Sequence, residues 1–278
     1  MDDSAGDNLA MILTLFLRDH DLPLPCGVVL LSPWSDLSQS LPSVRDFEHF
    51  DFISDLQFSI EQYLGTPFTH ALTVLERYVS PILDGIAPIA GTFRRFWTGS
   101  RPSPRPRQWR RTSTTVPCRM PPMYICVGGD ETLLDSVLLL ALRLARTGRV
   151  QGTHSPVMLE VYEHQVHMFP FMVPHCAHAA ACIEQVGTLV ETVVNAPIKP
   201  VGQPVENARF TLEARYFRMG HVHPASAATA FLLKRWTRIR GITSDARHPV
   251  GELELPVGVV RDRTVVHPRF VGFYASAR

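Results

Sequence analysis

Met1-Asp2-Asp3-Ser4-Ala5-Gly6-Asp7-Asn8-Leu9-Ala10 opens the chain with a serine among small residues, directly before an apolar run. Ser4-Ala5-Gly6 has the form of the second half of Gly-x-Ser-x-Gly. In that strand–turn–helix motif a serine sits on a sharp, strained turn with its hydroxyl lifted above a sheet. Gly6 fills the later small position and Asp2 stands in the earlier one. A Ser-x-Gly is also an ordinary loop sequence, so the weight falls on the residues downstream of it.

The run Asn8 to Leu17 is apolar nearly all round, which predicts a buried helix leaving the turn. Gly27-Val28-Val29-Leu30-Leu31, Met123-Tyr124-Ile125-Cys126-Val127 and Val157-Met158-Leu159-Glu160-Val161-Tyr162 are short apolar runs of the kind that form buried parallel strands. Helices are predicted over 56–64 and 69–78, from Thr132 to Arg146 with Gly148 just beyond, and from Cys176 to Val194. Strand, loop and helix thus alternate three times, the signature of an α/β fold with a doubly wound parallel sheet.

Composition divides the 278 residues. Residues 84–119 carry eight Arg against one acidic residue, with Pro102, Pro104 and Pro106 at alternate positions and no periodicity, so a disordered basic insertion is expected. Residues 196–278 carry thirteen basic and six acidic residues, with only brief β-like stretches, and are expected to be a basic extension of low order or unknown fold. The remainder is strongly acidic and holds the predicted core, so the core is assigned to 1–195. Basic runs can bind phosphates, but thin aromatic interleaving and the lack of a recognition fold argue against a nucleic-acid partner. No apolar run is long enough for a transmembrane segment, and no secretory pattern opens the chain. Five cysteines without metal-type spacing read as reduced thiols of a cytoplasmic protein.

In an open α/β sheet, functional residues collect beyond the carboxyl ends of the strands. Those positions hold Ser4, Asp36, Asp130 and His167. Ser4, Asp130 and His167 suit a nucleophile, an orienting acid and a base. A serine hydroxyl needs a base to take its proton, and a histidine titrates where it can take and return one. A buried carboxylate fixes the histidine tautomer. The backbone N–H of Ala5 would face the developing oxyanion. Asp130 also reads as a cap for the helix near Thr132, and His164 is a rival base that reads as exposed loop. Asp36 and Trp34 read as holding their loop, and Glu131 and Asp135 as solvated helix charges.

Several stretches recur in order: Asp3 to Ala10, Leu31-Ser32-Pro33-Trp34-Ser35-Asp36-Leu37-Ser38, Tyr78-Val79-Ser80-Pro81, Pro121 to Glu131, and Leu159 through His167 and Phe169. On these the chain resembles the hormone-sensitive-lipase-like, or fold-3, branch of the α/β-hydrolases. The resemblance implies a carboxylic ester hydrolase with Ser4 as nucleophile, Asp130 as acid and His167 as base. It implies a small-molecule ester substrate and no metal or organic cofactor. It leaves the oligomeric state open. The family's first elbow glycine is Asp2 here, whose side chain is expected to crowd the turn, and Asp7 stands where a second glycine is usual. The family's strands before the elbow, its cap and its His-Gly-Gly oxyanion loop have no counterpart in the chain. The expectation is therefore a partial α/β-hydrolase, the C-terminal part left by a truncated or mis-spliced gene, with little to hold Ser4 in place. An inactive hydrolase fragment or non-catalytic binding protein is the alternative.

Overall fold

Three apolar runs bounded by Gly and Pro become central strands of one sheet. The structure, a computed structural model, describes residues 2–53, 56–65, 78–84, 120–150, 157–195, 212–217, 234–235, 237–239 and 260–262. The elements in order are β1 (Asp2–Asp3), α1 (Ser4–Asp19), β2 (Val28–Leu31), α2 (Ser43–Asp46), α3 (Leu56–Leu64) and a 3₁₀ turn at Pro81–Leu83. Beyond these come β3 (Met123–Gly128), α4 (Leu134–Val150), β4 (Val157–Tyr162), α5 (Phe169–Met172), α6 (Ala177–Val194), β5 (Leu212–Phe217) and β6 (Val260–Asp262). The strands pair in sequence order, and every pair is parallel.

Successive strand residues point to opposite faces, and the core divides accordingly. Val28, Leu30, Met123, Ile125, Val127, Val157, Leu159 and Val161 pack with Met11 and Leu15 of α1 and the apolar positions of α4. Val29, Leu31, Tyr124, Cys126 and Tyr162 pack with Phe169 of α5 and Ala179, Cys182 and Val186 of α6. Helices therefore cover both faces. This is why β2 and β3 are buried along their whole length and read as unbroken apolar runs.

Three expectations are corrected. First, α1 is not buried all round: Leu9, Leu13 and Phe16 are exposed, whereas Asp7, Asn8, Thr14 and Arg18 are buried. Polar partners orient the helix. Arg18 donates to both oxygens of Asp84 at 2.7 and 2.9 Å, and Asn8 donates to the carbonyls of Trp34 and Val79 at 2.8 and 3.0 Å. Second, α4 continues past Arg146 to Val150 and carries Gly148 within it. Third, part of the region after Asn195 is ordered on the sheet, because β5 pairs along all of β4. The predicted helix over 69–78 lies outside the described residues apart from Tyr78, and so does the basic insertion apart from Asp84. The side chain of Asp2 also lies outside them.

Candidate active site

All strands being parallel, their carboxyl ends share one edge of the sheet. Asp3 is in register with Leu31, and Leu31 with Cys126, so Ser4 and Ser32 leave the sheet at the same level. β3 and β4 run two positions further, to Gly128 and Tyr162, before the Glu131 and His167 loops begin. Ser4 and Ser32 both follow strand ends with positive φ, +43° and +59°. His164 and Met168, either side of His167, are also left-handed at +57° and +52°. A positive φ in a non-glycine residue costs about 1–3 kcal/mol and persists only where its surroundings enforce it. Four of the six such residues among those described lie on these loops.

Ser4 is half-buried and is held more firmly than its sequence suggests. Its carbonyl accepts from Trp34 N at 3.1 Å. The buried Asp7 carboxylate accepts the Leu31 amide at the end of β2. Asn8 fastens the next turn to the Trp34 carbonyl. Asp7, which replaces an expected glycine, thus tethers α1 to the sheet edge. Ala5 is the second residue of α1, in the turn whose N–H groups have no acceptor within a helix.

His167 is closely paired with a carboxylate, that of Glu131, whereas Asp130 faces His164. The buried His167 places Nδ1 2.9 Å from Oε1 of Glu131, whose side chain is fully buried. Asp130 instead has Oδ2 3.0 Å from Nδ1 of His164, an imidazole three-quarters exposed. The turn after β3 sets this choice. Gly129 N donates to the Tyr162 carbonyl at 2.7 Å and Asp130 N to the Gln165 carbonyl at 3.0 Å. That geometry leaves Asp130 on the rim and sends the next side chain inward. Glu131 and Asp135, expected as solvated charges, are both fully buried.

The other oxygen of Glu131 is also occupied. Oε2 accepts Ser32 Oγ at 2.8 Å and Gly128 N at 2.9 Å. Ser32 Oγ in turn accepts Met168 N at 3.2 Å, so one hydroxyl links Glu131 to the residue after His167. In the tautomer that donates from Nδ1 to Glu131, Nε2 keeps a lone pair able to receive another proton. Asp36 holds its loop as expected, accepting from the amides and hydroxyls of Ser38 and Ser40. Gly128 reads in the sequence only as a strand end. A Cβ there would lie 2.9 Å from the Val166 carbonyl oxygen, so the His167 loop approaches to backbone contact.

On the opposite face, Tyr124 and Tyr162 both donate to the buried Glu160 at 2.6 Å. Burial, and then the adjacent Glu160 charge, pushes both phenols well up, so they remain donors. Burial, and then Cys182, likewise raises the Cys126 thiol. Among the described residues there is no group of three or more His, Cys, Asp or Glu able to hold a metal ion. Nor is any helix there long and apolar enough to cross a membrane.

No protein-family model matches the chain. An acetyl-hydrolase of Streptomyces hygroscopicus is 25% identical over 201 residues, covering 71% of this chain and 53% of that protein. An esterase of Acinetobacter venetianus is 36% identical over 92 residues, covering 31% of this chain and 29% of that protein. The chain resembles the hormone-sensitive-lipase-like esterases of the α/β-hydrolases. It spans about half the length of the first of these relatives and less of the second. Among solved structures, a hormone-sensitive lipase from a metagenome library is 21% identical, with a TM-score of 0.49 over 69% of this chain and 52% of that one. An esterase of Pyrobaculum calidifontis is 20% identical, with a TM-score of 0.48 over 70% and 52%.

Proposed function

We propose that the chain is a serine carboxylic ester hydrolase with Ser4 as nucleophile, His167 as base and Glu131 as orienting acid. The observation that carries this reading is the buried Glu131–His167 pair, which lies on the same sheet edge as a left-handed serine at a helix start. In this reading Glu131 accepts the Nδ1–H of His167, and Nε2 takes the Ser4 proton as Oγ attacks the ester carbonyl. The Ala5 N–H, at the positive end of α1, donates to the resulting oxyanion. Collapse expels the alcohol, which receives the proton from Nε2. Water, deprotonated by the same nitrogen, then releases the acid from Ser4. Short or medium acyl esters, or acetyl groups on a small alcohol or sterol, are the substrates proposed.

The test is hydrolysis of p-nitrophenyl acetate and butyrate, with a fluorophosphonate probe mapped by mass spectrometry. Turnover and Ser4 labelling, both lost in Ser4→Ala, support the reading. Folded wild-type protein with neither turnover nor labelling overturns it. A non-catalytic hydrolase-derived binding protein is then the better reading.

A further inference from the structure

We propose that Asp51 is a positioning residue that holds the acid loop and the base loop in fixed relation. It lies in the turn between α2 and α3, outside every motif of the sequence, and its side chain is buried. Oδ2 accepts both the amide and the hydroxyl of Thr132, at 2.8 and 2.9 Å. Oδ1 accepts the amide of His167 at 3.2 Å and that of Phe52 at 2.9 Å. Thr132 directly follows Glu131, so one carboxylate ties the neighbour of the acid to the backbone of the base. The next residue adds a contact to the imidazole itself, with the Phe52 ring centroid 5.9 Å from that of His167.

The chemistry of the four partners explains why an aspartate stands here. All four are donors, and only an ionised carboxylate presents acceptors on both sides. An asparagine would set its NH₂ against either the Thr132 pair or the His167 and Phe52 amides. One loop must then be released. Glu131 and His167 meet through their side-chain ends, so their 2.9 Å contact depends on how their backbones are spaced. Asp51 fixes that spacing without touching the reacting atoms.

The experiment compares wild type, Asp51→Asn and Thr132→Val in the full chain. One readout is independent of turnover: the Nδ1–H resonance of His167 in ¹⁵N-histidine-labelled protein, assigned by its loss in His167→Gln. We expect this resonance to shift and broaden in Asp51→Asn, and to shift less in Thr132→Val, which keeps its amide bond. The other readout rests on the esterase reading: a fall in kcat of about 10–100-fold for Asp51→Asn with KM nearly unchanged, the scale of a small misplacement of catalytic groups. A folded Asp51→Asn with the wild-type resonance overturns the proposal, as does a wild-type kcat in an active enzyme. If Asp51→Asn does not fold, Thr132→Val decides by the same resonance. If wild type turns over no ester, the esterase reading fails while the resonance still tests Asp51.

Discussion

Replacing Glu131 by Gln separates the two adjacent carboxylates most sharply. Glu131 has three neighbours at hydrogen-bond distance: His167 Nδ1, Ser32 Oγ and Gly128 N. An isosteric amide cannot serve all three. If its oxygen stays on His167, its NH₂ faces the Gly128 amide, and a buried donor–donor contact costs about 1–3 kcal/mol of stability. If instead the NH₂ turns to His167, it donates to Nδ1, the imidazole proton moves to Nε2, and the nitrogen meant to accept the serine proton is blocked. Loss of the correct tautomer in a serine triad lowers kcat by about 10⁴, or roughly 5.4 kcal/mol of transition-state stabilisation. Asp130→Asn disturbs only a rim pair with His164, which is three-quarters exposed. Such pairs contribute up to about 1 kcal/mol, so the expected change is within about fivefold. The assay is kcat and KM for p-nitrophenyl butyrate, with urea unfolding as a check on the fold. A folded Glu131→Gln that retains more than about a tenth of wild-type kcat refutes the assignment of the acid, and so does a 10⁴-fold loss in Asp130→Asn instead.

Gly128→Ala is expected to damage both stability and rate. The new Cβ would lie 2.7 Å from the Gln165 carbonyl carbon and 2.9 Å from the Val166 oxygen, both backbone atoms that cannot swing aside. Urea unfolding should show a loss of about 1–3 kcal/mol, with a fall in kcat because the His167 loop is displaced; wild-type behaviour in both would contradict the close approach. A pH effect is expected from His178, fully buried on α6 against Tyr162. Burial, and then His164, lowers its pKa from 6.5 to about 4. Between those values the unfolded chain binds the proton and the folded chain does not, so stability falls as the pH drops through that window. Above 6.5 neither form is protonated and the effect disappears. Urea unfolding across this range should show a slope of at most about 1.4 kcal/mol per pH unit that is absent in His178→Gln; an identical slope in the variant would assign it to other groups.

The strands at the centre of the sheet are legible in the sequence because both their faces are buried. Val28–Leu31 and Met123–Gly128 therefore carry no polar alternation to obscure them. β5 is not legible: Leu212-Glu213-Ala214-Arg215-Tyr216-Phe217 places charges at alternate positions, and its pairing with β4 is a long-range contact without local signature. β1, at two residues, is too short for any periodicity. The Ser4 elbow and the His167 loop are readable because each follows a recognisable strand or precedes a recognisable helix. Which of two consecutive carboxylates turns inward is not readable. That depends on the Tyr162 and Gln165 carbonyls gripping the Gly129-Asp130 turn, and both come from beyond residue 160. Asp51 leaves no trace for the same reason: its partners at Thr132 and His167 are 81 and 116 residues away.

The basic extension, for which the sequence supports only low order or an unknown fold, contributes side chains beside the Glu131 loop. Arg235 donates to Asp135 through Nε at 2.9 Å and Nη2 at 2.7 Å, and reaches Asp46 with Nη1 at 3.0 Å. Its guanidinium also lies 5.3 Å from the ring centroid of Phe47, and Ile239, one turn on, is fully buried in the core. Burial pushes the Asp135 carboxyl up, and Arg235 pulls against it. Ser43 completes the joint: its amide donates to Asp135, and its hydroxyl donates to the Thr132 carbonyl at 2.6 Å. Arg235 and Asp51 therefore grip the same short segment from opposite ends, Arg235 at Asp135 and Asp51 at Thr132. Glu131 stands immediately before that segment, and among the described residues its own carboxylate has only Gly128, Ser32 and His167 to fix it. A buried carboxylate aimed at a histidine tolerates little freedom. The restraint comes from two regions far apart in sequence, residues 43–51 and Arg235, so the acidic core and the basic extension meet at the start of α4 as parts of one support.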